Sequence, residues 1–270
     1  STLSSSSAAS DVYKRQAFTV DTLEVAEEIA SVAEEKQLPA IMMVGQNTFK
    51  YNKLEKIASI CRQIANSTNA QLVLHLDHGA SYEQVIQCLR NGFTSVMIDG
   101  SRLPLKENIR VTKEVTRAAH TVGVSVEAEL GAIGGTEDGM TAKANLVNVD
   151  DARCFLEEVT VEALAIGIGN AHGIYKSTPN LAFDRLEQVA ALGGPALVLH
   201  GGSGIPDDMI RKAIVMGIRK INVATEVRLA FLEGFGLEVN SKDIYKAYQS
   251  AQAHARKIIS DKMSLFDTTK

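Results

Sequence analysis

Eight short apolar runs punctuate the chain from Ala17 onward, separated by segments whose apolar residues recur at helical spacing. The runs are AFTV (17–20), AIMMVG (40–45), LVLHLD (72–77), SVMIDG (95–100), VSVEAEL (124–130), ALAIGIG (163–169), ALVLHG (196–201) and KINVAT (220–225). Between them, sets such as Leu23, Ala26, Ile29, Ala30 and Ala33, or Ile57, Ile60, Cys61 and Ile64, place one apolar stripe along a helix. Near-continuous apolar strands, each followed by a helix, predict a parallel sheet covered on its outer face. Eight such units predict an α/β fold, a single-domain (β/α)8 barrel over residues 17–270. No GxGxxG follows the first run, which argues against an open doubly wound sheet.

Two connections exceed what a barrel needs. Residues 131–149, GAIGGTEDGMTAKANLVNV, are glycine-rich and polar, and residues 170–181 carry His172 and Lys176. Loops of that length without structure of their own serve as lids or stay disordered. Ile244, Ala247, Tyr248, Ala251, Ala255, Ile258 and Ile259 predict a terminal helix that packs on the barrel or on a neighbouring subunit. The first ten residues, STLSSSSAAS, lack the charged start and apolar core of a signal peptide, so residues 1–16 read as a disordered tail or a sequencing scar.

Composition narrows the setting. With 270 residues the chain suits one barrel of roughly 200 to 250 residues or two smaller units. Hydrophobic residues make up 45% and charged residues 22%, and no apolar run reaches the roughly 18 residues of a membrane span. A net charge of −4 with interspersed signs excludes a basic face for nucleic acid. Cys61, Cys88 and Cys154 show no CxxC spacing, which argues against a disulfide framework and for a reducing cytoplasm.

Barrel enzymes carry their chemistry at the carboxyl ends of the strands. Asp77, His78, Asp99, Glu129, His172, His200, Asn222 and Thr225 all fall at or just past such ends, whereas His120 and His254 fall in helices as surface or packing residues. An isolated Asp77-His78 pair reads as a strand cap beside a surface histidine. Three imidazoles leaving three different strands, His78, His172 and His200, read instead as a catalytic zinc site that keeps one position open. Such a centre polarises a carbonyl and holds the enediolate formed when a proton leaves the adjacent carbon. Asp77 is placed to act as general acid or base. Gly201-Gly202-Ser203-Gly204 after the seventh strand, with Asn222-Val223-Ala224-Thr225 ending the eighth, reads as a phosphate cradle or as a flexible turn. A Schiff-base mechanism needs a buried lysine at the catalytic end. Lys220 reads as beginning the eighth strand at the opposite end, and Lys176 lies in a loop.

HLDHG, SVEAELG with GGTEDG, GNAHGIYK, LVLHGGSGIP and KINVATE together resemble the class II, metal-dependent ketose-bisphosphate aldolases, a family of fructose-bisphosphate and tagatose-bisphosphate enzymes. The resemblance implies reversible cleavage of a ketose 1,6-bisphosphate to dihydroxyacetone phosphate and glyceraldehyde 3-phosphate. It implies Zn2+ on His78, His172 and His200, and Asp77 exchanging a proton with the C4 oxygen. Gly173, Lys176, Gly201, Gly202, Ser203, Asn222, Val223, Ala224 and Thr225 match substrate-binding positions. Glu137 matches a loop carboxylate that moves the C–H proton of dihydroxyacetone phosphate. Asp99 and Glu129 match a second metal position or serve as structural hydrogen-bond partners. A monovalent cation, Na+ or K+, near the phosphate loops and a homodimer or larger homo-oligomer also follow.

There are departures from the family pattern. Its first helix, which plugs the barrel floor, is missing, and the tail stands in its place. Thr19 replaces an asparagine, and Gly45 replaces a hydroxyl residue, which predicts fewer hydrogen bonds near the first two strands and reduced activity. NVAT leans toward tagatose-type sequences and HGGSGIP toward fructose-type ones. An aldolase for another phosphorylated sugar or deoxy-sugar acid, or an inactive sugar-phosphate-binding barrel, are the competing readings.

Overall fold

The structure, a computed structural model, describes residues 15–137, 140–142 and 145–267, without the side chains of residues 15 and 136–142. Its strands are β1 (Arg15–Thr19), β2 (Ala40–Val44), β3 (Leu72–Gly79), β4 (Ser95–Ile98), β5 (Ser125–Leu130), β6 (Gly134–Glu137), β7 (Met140–Ala142), β8 (Ala163–Ile166), β9 (Ala171–His172), β10 (Ala196–Leu199) and β11 (Ile218–Val223). Eight of them close into a parallel barrel in the order β1, β2, β3, β4, β5, β8, β10, β11, with β11 returning to β1. The remaining three form a small sheet in the order β7, β6, β9.

Side chains alternate across each strand, so every barrel strand feeds two cores. Phe18, Met42, Val44, Leu72, Leu74 and Leu76 face outward and pack under the helices. Ala17, Ile41, Met43 and Val73 make one separate inner cluster, and Met97, Ala163, Ala165 and Val198 make another. Between these clusters the barrel is polar: His75, Ser95, Glu127 and Lys220 are all buried.

Some of the surrounding helices start where the sequence supplies a capping side chain. Thr22 accepts from the Val25 amide at the head of the helix Leu23–Lys36, and Ser81 caps the helix Tyr82–Arg90. The terminal helix Ile244–Phe266 is capped by Asp243 and turns Ala247, Ala251, Ala255, Ile259 and Met263 inward. It packs on the barrel, and Arg256 bonds Glu28 and Ser31 of the first helix.

Three expectations need correcting. Lys220 does not begin the eighth strand, because β11 starts at Ile218 and places Lys220 midway along it. Its charge suggested a boundary, yet the ammonium points inward to Glu127, with Nζ 2.8 Å from Oε2. The tail does not extend to residue 16. Arg15 and Gln16 belong to β1, where Gln16 pairs with Ala40 and Ile221, and residues 1–14 lie outside the described residues. The two long connections are not structureless, because β6, β7 and β9 lie within them.

Candidate active site

Asp77 and His78 leave β3 in different directions because the strand breaks its alternation there. His78 adopts φ 46°, a left-handed conformation costly for a residue with a Cβ, and the register with β4 shifts between Leu76 and Gly79. Asp77, almost fully buried, therefore points across the interior, where Asn222 Nδ2 donates to its Oδ1 at 3.2 Å. The His78 ring turns toward His172 and His200, with centroids 5.1 and 4.8 Å away.

The strained turn is clamped from behind. Gln46 Nε2 donates to the His78 carbonyl at 2.8 Å, and Gln46 and Gln84 exchange amide hydrogen bonds with each other. Replacing Gln46 with alanine leaves that carbonyl and the Gln84 amide short of a partner. Urea unfolding should register a loss of about 1–3 kcal/mol. A loss below about 0.5 kcal/mol would show that the turn holds itself.

His172 is carried by β9, which pairs with β6 through Gly134 opposite Ala171 and Gly135 opposite His172. Gly135, at φ 90°, lies so close that a Cβ there would sit 2.1 Å from the His172 carbonyl oxygen. On the other side, Tyr175 Oη accepts from the Ala171 amide and donates to the Gly201 carbonyl. Asn170, fully buried, donates to the His200 carbonyl at 3.0 Å. These contacts lock the two long loops to the loop after β10.

The three imidazoles converge, with ligand nitrogens all within 4.8 Å of one another. Two of the rings are oriented by carboxylates. His78 Nδ1 lies 2.9 Å from Asp99 Oδ2, and His200 Nε2 lies 2.9 Å from Glu127 Oε1. Burial alone would raise the pKa of both carboxyls. His78 and Ser101 hold Asp99 well below the usual range, and Lys220, His200 and His75 do the same for Glu127. Ionised carboxylates only accept, so His78 is protonated at Nδ1 and His200 at Nε2. When both rings are neutral, the remaining nitrogens, His78 Nε2 and His200 Nδ1, face each other at 3.0 Å with lone pairs. That arrangement is repulsive until a cation lies between them. Bonds of 2.0–2.1 Å at the tetrahedral angle put two zinc-bound nitrogens about 3.3 Å apart, so this donor set suits such an ion.

His78, Asp99 and Glu129 form a second group whose ligand atoms lie equally close. Burial, and then the charge of Asp99, push the Glu129 carboxyl up to about 8, and its Oε2 is buried without a hydrogen bond among the described residues.

The glycine loop and the end of β11 also come together. Gly202 donates to the Asn222 carbonyl, and Ser203 Oγ accepts from the Glu226 amide. Gly201, at φ 62°, would drive a Cβ to 2.1 Å from the Ala171 carbonyl oxygen. The helix Thr225–Glu238 starts directly after Ala224, so its N-terminus faces this loop. Gly173 follows His172 with φ 90°, while Lys176 is exposed. The side chain of Glu137 lies outside the described residues, although its backbone ends β6. At the first two strands the rim keeps a hydrogen-bonded set: Arg228 donates to both oxygens of Asp21 and to Thr19, and Thr48 donates to Asp21.

A model of the family described as "Fructose-bisphosphate aldolase class-II" matches residues 5–270. The chain belongs to the class II fructose-bisphosphate aldolase family. A fructose-bisphosphate aldolase of Streptococcus pyogenes serotype M1 is 40% identical over 258 residues, covering 94% of this chain and 84% of that protein. Among solved structures, the YdjI aldolase of Escherichia coli K12 aligns with a TM-score of 0.86 and 29% identity over 97% of this chain and 94% of that one. Fructose-bisphosphate aldolase of Campylobacter jejuni, at 19% identity, shares the fold with a TM-score of 0.77, over 95% of this chain and 91% of that one. The chain is therefore an aldolase, a lyase, on a (β/α)8 barrel.

Several residues that shape this aldolase site escape a reading of the sequence. His75, Glu127 and Lys220 sit one layer below the histidines, and Gln46, Gln84, Asn170 and Tyr175 brace the loops. A signal was present for two of them: His75 shares an alternate face with Asp77, and Glu127 with Glu129, in otherwise apolar strands.

Proposed function

We propose that this aldolase reversibly cleaves a ketose 1,6-bisphosphate to dihydroxyacetone phosphate and glyceraldehyde 3-phosphate, with Zn2+ held by His78, His172 and His200. The observation that carries the proposal is the approach of His78 Nε2 to His200 Nδ1 at 3.0 Å, each ring turned by its own carboxylate. When bound, the metal supplies Lewis-acid stabilisation of the charge that develops at the ketose carbonyl as the carbon–carbon bond breaks.

The chain's own groups do the rest. Asp77, held by Asn222, takes the C4 hydroxyl proton in cleavage and returns it in condensation. Glu137 exchanges the C–H proton of the three-carbon product. Backbone amides of Gly173, Gly201 and Ser203, with Gly202 shaping the turn through its bond to the Asn222 carbonyl, and residues Asn222 to Thr225 with the following helix N-terminus, hold the phosphate of that half. The name of the S. pyogenes relative favours fructose over its C4 epimer tagatose.

Among the described residues no helix is long and apolar enough to cross a membrane. The free thiols of Cys61, Cys88 and Cys154 favour a reducing cytoplasm for this enzyme of small sugar phosphates. Exposed Leu229, Leu232, Leu237, Val239, Ile244 and Tyr245 near the C-terminal helices favour self-association.

Metal analysis with a dehydrogenase-coupled cleavage assay on both bisphosphates tests the proposal. Stoichiometric zinc and EDTA-sensitive turnover of fructose bisphosphate are expected. Zinc without turnover of either sugar would move the substrate elsewhere in the phosphorylated sugars, and no zinc affinity would end the metal assignment.

A further inference from the structure

We propose that Glu127, anchored by Lys220, is the positioning residue for His200: it fixes the proton on Nε2 and so directs Nδ1 to the metal position. This assignment rests on the zinc reading above for its purpose, although the orientation of the ring stands on its own contacts.

Glu127 is on the inner face of β5, and its side chain is 2% exposed. One carboxylate oxygen accepts from His200 Nε2 at 2.9 Å, and the other from Lys220 Nζ at 2.8 Å. Lys220 also reaches His75 Nε2 at 3.4 Å, and His75 Nδ1 lies 2.8 Å from Ser95 Oγ. The direction of every proton follows. Lysine only donates, so His75 accepts at Nε2 and donates from Nδ1 to Ser95. Glu127 can then receive only from Lys220 and His200, which leaves His200 a single tautomer.

Packing alone does not call for this arrangement. The inner clusters on either side are built of Ala, Ile, Met and Val, and a buried ion pair adds little stability over apolar residues of similar volume. What the charged pair supplies is direction. An imidazole without an acceptor behind it can turn or exchange its proton, and it then presents N–H instead of a lone pair to the metal. Removing such supporting partners weakens metal binding by about 10- to 100-fold in general.

The test compares wild type, Glu127→Leu, and the double variant Glu127→Gln with Lys220→Met, which is neutral but retains an amide oxygen behind His200. Three measurements apply: ring-nitrogen NMR of His200 with and without zinc, zinc affinity by chelator competition, and the visible spectrum of the Co2+-substituted enzyme. Wild type should carry the Nε2 proton in both states. Glu127→Leu should lose about 10- to 100-fold in zinc affinity, with an altered cobalt spectrum. The double variant should recover the tautomer, the spectrum and most of the affinity.

A wild-type His200 protonated at Nδ1 in the metal-free protein overturns the proposal, whether or not the leucine variant folds. So does a folded Glu127→Leu with wild-type affinity and spectrum, or a folded double variant as weak as the leucine one. Failure of the wild type to bind zinc would instead sink the metal assignment, and the tautomer would still decide the role of Glu127.

Discussion

Replacing His200 with alanine should abolish zinc binding and aldol cleavage together. The ring is fully buried between Glu127 and His78, so no solvent-exposed group can slide in to supply the missing nitrogen. A bound divalent ion contributes several kcal/mol to stabilising a developing oxyanion, and each 1.36 kcal/mol is tenfold in rate. Turnover should fall about a thousandfold or more, and zinc measured after desalting should drop to background. Glu127 keeps its bond to Lys220 in this variant, so the barrel should survive, as circular dichroism can check. Retention of both zinc and turnover would remove His200 from the site.

Asp77→Ala separates what His200→Ala merges. Asp77 lies next to His78 in sequence, but its carboxylate is directed to Asn222. Zinc content should therefore match wild type. Loss of a positioned acid or base generally slows turnover about 10²- to 10⁴-fold, and that loss should appear in kcat with little change in metal affinity. Asp77→Asn should behave similarly, because an amide can hold Asn222 but cannot take the proton. Near-normal kcat in either variant would assign the C4 proton to another group.

The barrel was legible because its strands are apolar on both faces and its helices carry a single stripe. The histidine cluster was legible because His78, His172 and His200 each fall at or just past the end of an apolar run, and a barrel brings strand ends together whatever their separation along the chain. The layer beneath was not. Lys220 looked like a strand boundary because a charge inside a barrel needs a partner, and Glu127 lies 93 residues away in sequence. Gln46 and Gln84 are unremarkable on their own, and only the left-handed turn at His78 gives them work, which no local pattern announces. The glycines of GGTEDG read as loop, yet Gly134 and Gly135 pair with β9 because the missing side chains let its backbone approach.

That pairing has a mechanical consequence. His172 hangs from a two-residue strand fastened to β6, and β6 ends at Glu137. A shift of the hairpin that brought this acid over a bound sugar would tug one of the three imidazoles with it. Substrate engagement and the grip on the ion would then be parts of a single lever, so tightening one should be felt by the other.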